Sequence, residues 1–444
     1  MPLRLLFALA LAVRVALLLQ HPGVYGDDSA ARLAYADRLV LAYQLPLPQL
    51  LVVVMRWLAP HPGWTQLVFA TIGAGVAPLL AAVVARLESP LAGRVAGALA
   101  AAHPVFVYYS LVPYQEGPML VLLLAAALAL LHARDGVAAL CVGLACLCRY
   151  EAWIAAALLV AWRRSRASAL FTVVPIAWIV FWRGLSPVGT YVLDLDPHAG
   201  RLHRLGFLVA KTADYAGALL LVLGAIGGLW VLWRGDRRWR AAAAFAAVVV
   251  AAVVVAGHEF PPGSGRVSER LVHLPALATC AGAGVVLARL APRRPWLAAA
   301  ITAILAVDGS RRARALVAAA HDAPDVRLAH SVAAFVERRL GAGAHVAVDA
   351  PAVAPAEVEA YVRKVEAAGG DAARARATAR ELSRLPPDAV RVAAQLARPP
   401  GTVVPIGEEA ALLAVFDGAP RAGRPVAELR AGSRRAVVYW AEKR

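Results

Sequence analysis

The 444-residue chain is too apolar for an ordinary soluble protein, since 60% of its residues are hydrophobic and its mean hydropathy is +0.62. Its formal net charge is +17, but much of this charge falls in arginine clusters between apolar runs, such as 163–166 and 237–240. That distribution is typical of membrane proteins and argues against a nucleic-acid partner. The four cysteines show no CxxC spacing and are interpreted as small core residues.

The apolar runs predict a polytopic α-helical membrane protein. A span needs about 20 apolar residues, somewhat fewer if flanking side chains snorkel. This criterion predicts about eleven spans, at residues 3–19, 64–86, 94–109, 118–132, 137–148, 152–162, 168–182, 215–233, 241–257, 271–290 and 296–308. The first run lacks a small-residue cleavage site at its end and is interpreted as an uncleaved span.

Arginine placement predicts the topology. With the N-terminus in the cytoplasm, most of the arginine clusters fall inside, in the segments 86–94, 163–166, 234–240 and 289–295. The stretch 137–162 is interpreted as two short helices meeting at residues 149–151, because one long span would bury Arg149 and Glu151 in mid-membrane.

Two parts of the chain are expected outside the membrane. The first outer loop, 20–63, is predicted to hold an interfacial helix near 29–43 and a second short apolar piece at 49–59. Beyond a transmembrane domain at 1–308, residues 309–444 mix charge, Pro and Gly with shorter apolar runs. This region is predicted to be a small extracytoplasmic α/β domain, with a strand at 345–349 and helices at 356–367 and 371–384.

The adjacent carboxylates Asp27 and Asp28 follow the first span and are candidate catalytic residues. Carboxylates at a membrane face suit a general base or a cation ligand. The alternative is helix capping, in which Asp28 or Ser29 accepts backbone N–H bonds from the helix that follows. No capping-box Glu stands three positions after Ser29, where Arg32 is found.

Other charged residues have a structural interpretation one by one. Arg14 can snorkel from the first span, Glu116 can favour a helix N-terminus, Arg149 can pair with Glu151, and Glu269 and Arg270 can anchor a helix at the interface. One topology nevertheless places all these groups on the same side. His258, Glu259 and His273 show no metal-ligand spacing, and nucleotide-binding and GxSxG motifs are absent from the sequence, so no metal or nucleotide cofactor is expected.

Taken in order, these motifs resemble those of GT-C superfamily glycosyltransferases of the protein O-mannosyltransferase and aminoarabinose-transferase type. The resemblance covers most of residues 1–308. It depends on an Arg in the first span, an acidic pair in the first outer loop, a Pro-containing helix entry, a Tyr-Ser…Glu-x-Pro stretch, an Arg-x-Glu and a late Glu-Arg-x-x-x-x-Pro: Arg14, Asp27, Asp28, Pro46, Pro48, Tyr109, Ser110, Glu116, Pro118, Arg149, Glu151, Glu269, Arg270 and Pro275.

The resemblance implies a sugar donor on a polyprenyl phosphate, a lipid, glycan or protein acceptor, and inversion at the anomeric carbon. It also implies a bacterial inner-membrane location with the site facing the periplasm. Asp27 is then the preferred base, Arg149, Arg270 or Arg14 meets the phosphate, and Glu116 orients the acceptor or the sugar. Two alternatives remain open: a transporter of lipid-linked sugars, although repeated halves are not visible, and an inactive glycolipid-binding protein.

Overall fold

The computed structural model describes residues 2–36, 45–163, 170–181, 201–256, 269–341, 344–351, 355–367, 372–398, 402–405, 410–418 and 425–440. The chain is mostly helical and forms two compact units. The helical unit comprises 1–16, 69–111 and 115–316. The α/β unit comprises 17–68, 112–114 and 317–444. The predicted division of the chain at residue 308 stays a prediction.

Fourteen described helices lie wholly or partly in the helical unit, and three of them, α1, α4 and α16, also contribute residues to the α/β unit. In chain order they are α1 (Leu3–Gln20), α4 (Pro62–Ala74), α5 (Val76–Leu87), α6 (Pro90–Ala102), α7 (Pro104–Tyr108), α8 (Glu116–Leu131), α9 (Asp135–Cys146), α10 (Glu151–Arg163), α11 (Val173–Phe181), α12 (Arg201–Ala216), α13 (Ala218–Arg234), α14 (Arg237–Ala256), α15 (His273–Leu290) and α16 (Pro295–His321). Between α1 and α4 the chain forms α2 (Asp27–Ala34) and α3 (Pro46–Leu58), which belong to the α/β unit. A short 3₁₀ helix, Glu269–Val272, directly precedes α15.

Small residues let these helices approach closely. On α13, a side chain at Gly227 would collide with the backbone of Gly282 on α15. Glycine at both positions therefore permits backbone contact between the two helices, as small residues do in membrane helix pairs.

Length and composition identify the helices that can cross a bilayer. Among the described residues, three are long and apolar enough: Leu3–Gln20, Pro62–Leu87 and Glu269–Leu290. A fourth is added if Leu202–Ala216 and Ala218–Arg234, which meet at a bend of 118°, form one span. Several shorter apolar helices accompany them. The predicted count of about eleven spans is thus not confirmed.

Three stretches test the predicted helix boundaries most directly: 137–162, 94–109 and the end of the last apolar helix. The predicted pair of short helices within 137–162 is confirmed by α9 and α10. The predicted continuous helix 94–109 is wrong, because the chain breaks at His103, before Pro104, and restarts as α7. The last apolar helix does not end at 308 either, since α16 continues to His321 through an alanine-rich stretch.

The α/β unit contains a five-stranded sheet with helices around it. Its elements, apart from those already given, are α2 (Asp27–Ala34), α3 (Pro46–Leu58), α17 (Pro324–Arg339), β1 (Val346–Asp349), α18 (Pro355–Ala367), α19 (Ala372–Leu382), α20 (Pro387–Gln395), β2 (Val403–Val404), β3 (Leu412–Phe416), β4 (Ala427–Ala431) and β5 (Arg434–Trp440). The predicted strand at 345–349 and the two predicted helices after it are confirmed by β1, α18 and α19. The small C-terminal sheet is therefore present.

The strands lie in the order β2-β1-β3-β5-β4. The first three are parallel, with Val348 of β1 opposite Ala414 of β3. Strands β3, β5 and β4 are antiparallel, with Ala414 opposite Val438. Alternate apolar side chains of these strands pack against α17 and α20 to form the core of this unit.

Part of the predicted first outer loop belongs to the same core. Ala34 and Tyr35, at the end of α2, are buried with Val332 of α17 and Val392 of α20. The predicted helix at 29–43 is realised as α2 in its first part, and its second part, 37–43, lies outside the described residues. The predicted short apolar piece at 49–59 is α3.

Candidate functional site

The predicted site residues are distributed over both units. Asp27 and Asp28 lie in the α/β unit. The helical unit holds the other six, which are Arg14, Glu116, Arg149, Glu151, Glu269 and Arg270.

In the helical unit, Arg149 binds two carboxylates at once. Its Nε donates to Glu151 Oε2 at 2.9 Å, and its Nη2 donates to Glu151 Oε1 at 2.5 Å. Its Nη1 forms an ion pair with Glu116 Oε1. All three residues are buried, with Glu116 only 1% exposed. The predicted pairing of Arg149 with Glu151 is therefore made, and Glu116 joins it.

Helix ends position this charge triad. Glu116 is the first residue of α8 and Glu151 is the first residue of α10, so both carboxylates lie where a helix dipole favours negative charge. Arg149 lies in the turn between α9 and α10, and its backbone N–H donates to Ala145 O at 3.1 Å. Glu116 Oε2 has no hydrogen-bond partner among the described residues. The triad therefore contains one basic and two acidic side chains, and its buried Glu116 Oε2 is an unoccupied hydrogen-bond acceptor within the described structure.

A second polar group surrounds Glu269. Lys211 Nζ of α12 lies 2.8 Å from Glu269 Oε1, and the Tyr215 hydroxyl donates to Glu269 Oε2 at 2.5 Å. Tyr215 is in turn hydrogen-bonded to Tyr109. The structure thus places Glu269 with a lysine and a tyrosine, and not in the triad of Arg149. Lys211 and Tyr215 were not predicted from the sequence. The available signal was that Lys211 is the single lysine of helix α12, which mixes apolar and charged residues.

The charge of Arg270 interacts with members of both polar groups. Its charge interacts with that of Arg149 and with the hydroxyl of Tyr109. Its backbone oxygen is bonded to Nδ1 of His273, a residue that is 1% exposed. Of the weak metal-ligand candidates, His258 and Glu259 lie outside the described residues.

Arg14 is buried and its donors are directed into the protein. Nε donates to Ser110 Oγ at 2.8 Å, Nη2 to Phe106 O at 2.8 Å and Nη1 to Ala10 O at 2.9 Å. This arginine therefore does not snorkel to the interface. It ties α1 to the end of α7, where the chain leaves regular helix before Tyr109.

In the α/β unit, Asp27 and Asp28 form the first turn of α2. The N-cap residue is Gly26, and this described segment has no side-chain capping bond. Ser29 instead donates to the carbonyl oxygens of Tyr25 at 2.5 Å and Gly26 at 2.7 Å. The helix therefore begins one residue earlier than the capping interpretation requires, with Gly26 as its N-cap and Asp28 and Ser29 inside its first turn.

The turn before Asp27 is held by several contacts. Gln395 of α20 accepts from Val24 N at 2.9 Å and donates to Val24 O at 2.6 Å. Gly26 has a φ of 83°, and any Cβ at this position would collide with the Tyr114 hydroxyl. Only glycine fits this turn without strain. The position of the acidic pair is therefore fixed by the fold of the α/β unit.

The side chain of Asp27 is 81% exposed and pairs with Arg391 Nη2 at 3.0 Å. That arginine belongs to α20, which is 364 positions further along the chain. The sequence contained no signal for this contact.

A mostly helical chain with apolar membrane-length helices and buried ionic groups at helix ends defines an integral membrane protein with a polar site. Its fold is similar to that of ArnT from Cupriavidus metallidurans bound to undecaprenyl phosphate, with a TM-score of 0.55, 15% identity, and coverage of 98% of this chain and 97% of that chain. The apo state of the same protein gives a TM-score of 0.53, 16% identity, and 98% and 96% coverage.

The apo oligosaccharyltransferase of Archaeoglobus fulgidus is also similar, with a TM-score of 0.51, 11% identity, and coverage of 78% of this chain and 62% of that chain. No protein-family model matches the sequence. No curated protein matches it either. The resemblance to aminoarabinose-transferase-type GT-C glycosyltransferases is confirmed at the level of the fold.

Proposed function

We propose that this protein is a membrane glycosyltransferase that transfers a sugar from a polyprenyl-phosphate donor to an acceptor hydroxyl or amine. The observation that carries the proposal is the structural match along 98% of the chain to ArnT bound to undecaprenyl phosphate. The acceptor would be a lipid, glycan or protein. The chemistry of the polar groups in each unit is consistent with such a reaction.

The donor phosphate would be bound by arginine in the helical unit. A guanidinium stays charged and binds phosphate oxygens through paired hydrogen bonds. Of the three predicted arginines, Arg14 donates its hydrogen bonds to oxygens of the protein, and Arg149 donates its hydrogen bonds to two carboxylates. We take Arg270 as the candidate phosphate ligand, because its charge reaches both Arg149 and Tyr109 and because Lys211, which pairs with the adjacent Glu269, supplies a second cation nearby.

The triad would serve the transferred sugar or the acceptor. Arg149 orients Glu116 and Glu151 through its ion pairs, and Glu116 Oε2 remains available as a buried acceptor for a hydroxyl or an ammonium. This role agrees with the predicted role of Glu116 in orienting the substrate.

Asp27 would act as the general base, with Asp28 beside it. The acceptor oxygen or nitrogen attacks the anomeric carbon from the side opposite the phosphate and passes its proton to Asp27. The bond between the anomeric carbon and the phosphate oxygen breaks, and polyprenyl phosphate leaves with the electron pair. A single displacement of this kind inverts the anomeric configuration.

The site would face the outside of the bacterial inner membrane, in a polytopic arrangement of about eleven spans. Cysteine labelling of intact cells tests this in a background without native cysteines. We expect Asp28→Cys to react in intact cells and Arg237→Cys to react only after permeabilisation. Reaction at position 28 only after permeabilisation would contradict the proposed side.

Transfer itself is tested with membranes from cells with and without the chain, supplied with a panel of radiolabelled polyprenyl-phosphate sugars. We expect chain-dependent label in lipid, glycan or protein for at least one donor, with loss of that label in Asp27→Asn. Movement of labelled donor across vesicles without any new product would instead indicate a transporter. Donor binding without product or movement would indicate an inactive glycolipid-binding protein.

A further inference from the structure

We propose that Arg391, on helix α20 of the α/β unit, is a positioning residue that orients the carboxylate of Asp27 for proton transfer. The inference builds on the proposed function, because it assigns a role to Arg391 through the candidate base. It makes the C-terminal part of the chain a contributor to the reaction.

Arg391 uses its guanidinium to hold three carboxylates. Nη2 contacts Asp27 Oδ1 at 3.0 Å, Nε contacts Asp325 Oδ2 at 3.1 Å and Nη1 contacts Asp388 Oδ1 at 3.2 Å. The side chains of Asp325 and Asp388 are 30% and 7% exposed, whereas that of Asp27 is 81% exposed. Asp27 is thus the one of the three that a substrate can reach.

The guanidinium is fixed independently of Asp27. Asp388 is also bound by Arg434, with Nη1 to Oδ1 at 3.0 Å and Nη2 to Oδ2 at 2.8 Å. Asp325 lies in the first turn of α17, whose other face is in the core. An exposed ion pair between two mobile side chains contributes little. In this pair only the side chain of Asp27 loses rotamer freedom, because Arg391 is already held by Asp325 and Asp388.

The contact with Arg391 leaves one carboxylate oxygen of Asp27 available to act as a general base. Arg391 binds Oδ1, and the described residues give Oδ2 no hydrogen bond. The backbone at Asp27 is fixed by Gly26 and Gln395, and the side chain is fixed by Arg391. One oxygen is therefore anchored while the side chain as a whole remains 81% exposed, so that an acceptor can approach it. A base must lie within hydrogen-bond reach of that proton, so this orientation bears directly on the rate.

The test uses the purified full-length protein with its labelled donor. We expect Arg391→Gln to lower kcat by roughly 10- to 100-fold, with the donor KM changed by less than about twofold. Arg391→Lys retains the charge and should recover part of kcat. The matched control is Arg430→Gln, which removes an arginine that is 70% exposed and pairs with Glu428 in the same unit. Thermal unfolding of each variant in detergent checks folding.

Double substitution separates positioning from general structural support. If Arg391 acts through Asp27, adding Arg391→Gln to Asp27→Asn should cause no further loss of the residual rate. Losses that multiply in the double variant, or an unchanged kcat in both Arg391 variants, would overturn the inference while the wild type still transfers sugar. If Arg391→Gln fails to fold, Arg391→Lys in the same cycle decides by the same criterion. A wild type that transfers no sugar from any donor would overturn the proposed function, and the inference with it.

Discussion

Arg149 donates two hydrogen bonds to Glu151, from Nε to Oε2 at 2.9 Å and from Nη2 to Oε1 at 2.5 Å, and only one residue separates the two in the sequence. The third nitrogen of the same guanidinium binds Glu116, which lies 33 positions earlier and on another helix. One buried cation therefore serves two buried carboxylates, so its removal leaves both of them without their partner.

We expect Arg149→Ala to destabilise the protein by about 3–5 kcal/mol, because breaking a buried pair leaves uncompensated charge. Arg149→Lys should cost less, since it keeps the charge but loses the paired geometry. Thermal unfolding in detergent measures both. The control is Arg312→Ala, whose ion pair with Asp308 is 41% and 43% exposed and should contribute about 0.5 kcal/mol or less. Equal unfolding temperatures for Arg149→Ala and wild type would contradict this expectation.

Substitution of Arg270 should lower donor binding more than stability, in contrast to substitution of Arg149. If Arg270 binds the donor phosphate, Arg270→Ala should weaken undecaprenyl-phosphate binding by about 1.5–3 kcal/mol, the usual contribution of a hydrogen bond to a charged group. Arg270→Lys should lose less affinity than alanine does, and neither should lower stability as much as Arg149→Ala. Equilibrium binding in detergent decides this, with the exposed Arg293→Ala as control. Unchanged affinity in both Arg270 variants would remove this residue from the donor site.

Asp27→Asn should lower sugar transfer by roughly 10²- to 10⁴-fold, the range typical of general-base loss. Stability should hardly change, because the carboxylate is 81% exposed. The matched control is Asp322→Asn, whose side chain in the same unit is 63% exposed. Initial rates with labelled donor provide the measurement. Full activity of Asp27→Asn, Asp28→Asn and the double variant would exclude this acidic pair as the source of the base.

Gly26→Ala should impair transfer and destabilise the protein, because φ is 83° and a Cβ would collide with the Tyr114 hydroxyl. Tyr114→Phe in the same chain should restore only part of the loss, since the backbone strain persists. Gly136→Ala is the control: a Cβ there meets no heavy atom within 4 Å, and it lies in helix α9. Rates and unfolding temperatures of the three variants test this. A fully active Gly26→Ala would show that the turn tolerates rearrangement.

Asp417 should make the stability of the protein depend on acidic pH. Burial alone would raise its pKa, but the backbone N–H of Arg435 and the side chain of Arg434 lower the pKa below its usual value of 3.8. A lowered folded-state pKa gives stability that is complete above about pH 3.8 and is lost as the pH falls through the folded value. Unfolding temperatures of wild type and Asp417→Asn should therefore differ at pH 6 and converge toward pH 3. A difference that stays constant with pH would exclude this linkage.

Local sequence patterns determined much of the architecture. Apolar periodicity predicted the helical, membrane-type chain, and the charged residues Arg149 and Glu151 correctly divided 137–162 into α9 and α10. Composition after residue 308 predicted the strand β1 and the helices α18 and α19. These features depend on neighbouring residues, whose effect on backbone conformation is readable from the chain itself. Helix ends were less predictable, as at Pro104 and beyond residue 308, because packing and local breaks decide them.

Only the tertiary structure decided which charges meet. The sequence identified Glu116, Glu269 and Asp27 as candidates, but it did not indicate that Glu116 joins Arg149, that Glu269 pairs with Lys211, or that Asp27 meets Arg391 from a helix 364 positions away. An ion pair forms wherever the packing of distant elements brings opposite charges within about 4 Å of each other. The chain carries no local pattern for such a meeting, because its geometry exists only once the helices and the sheet are assembled.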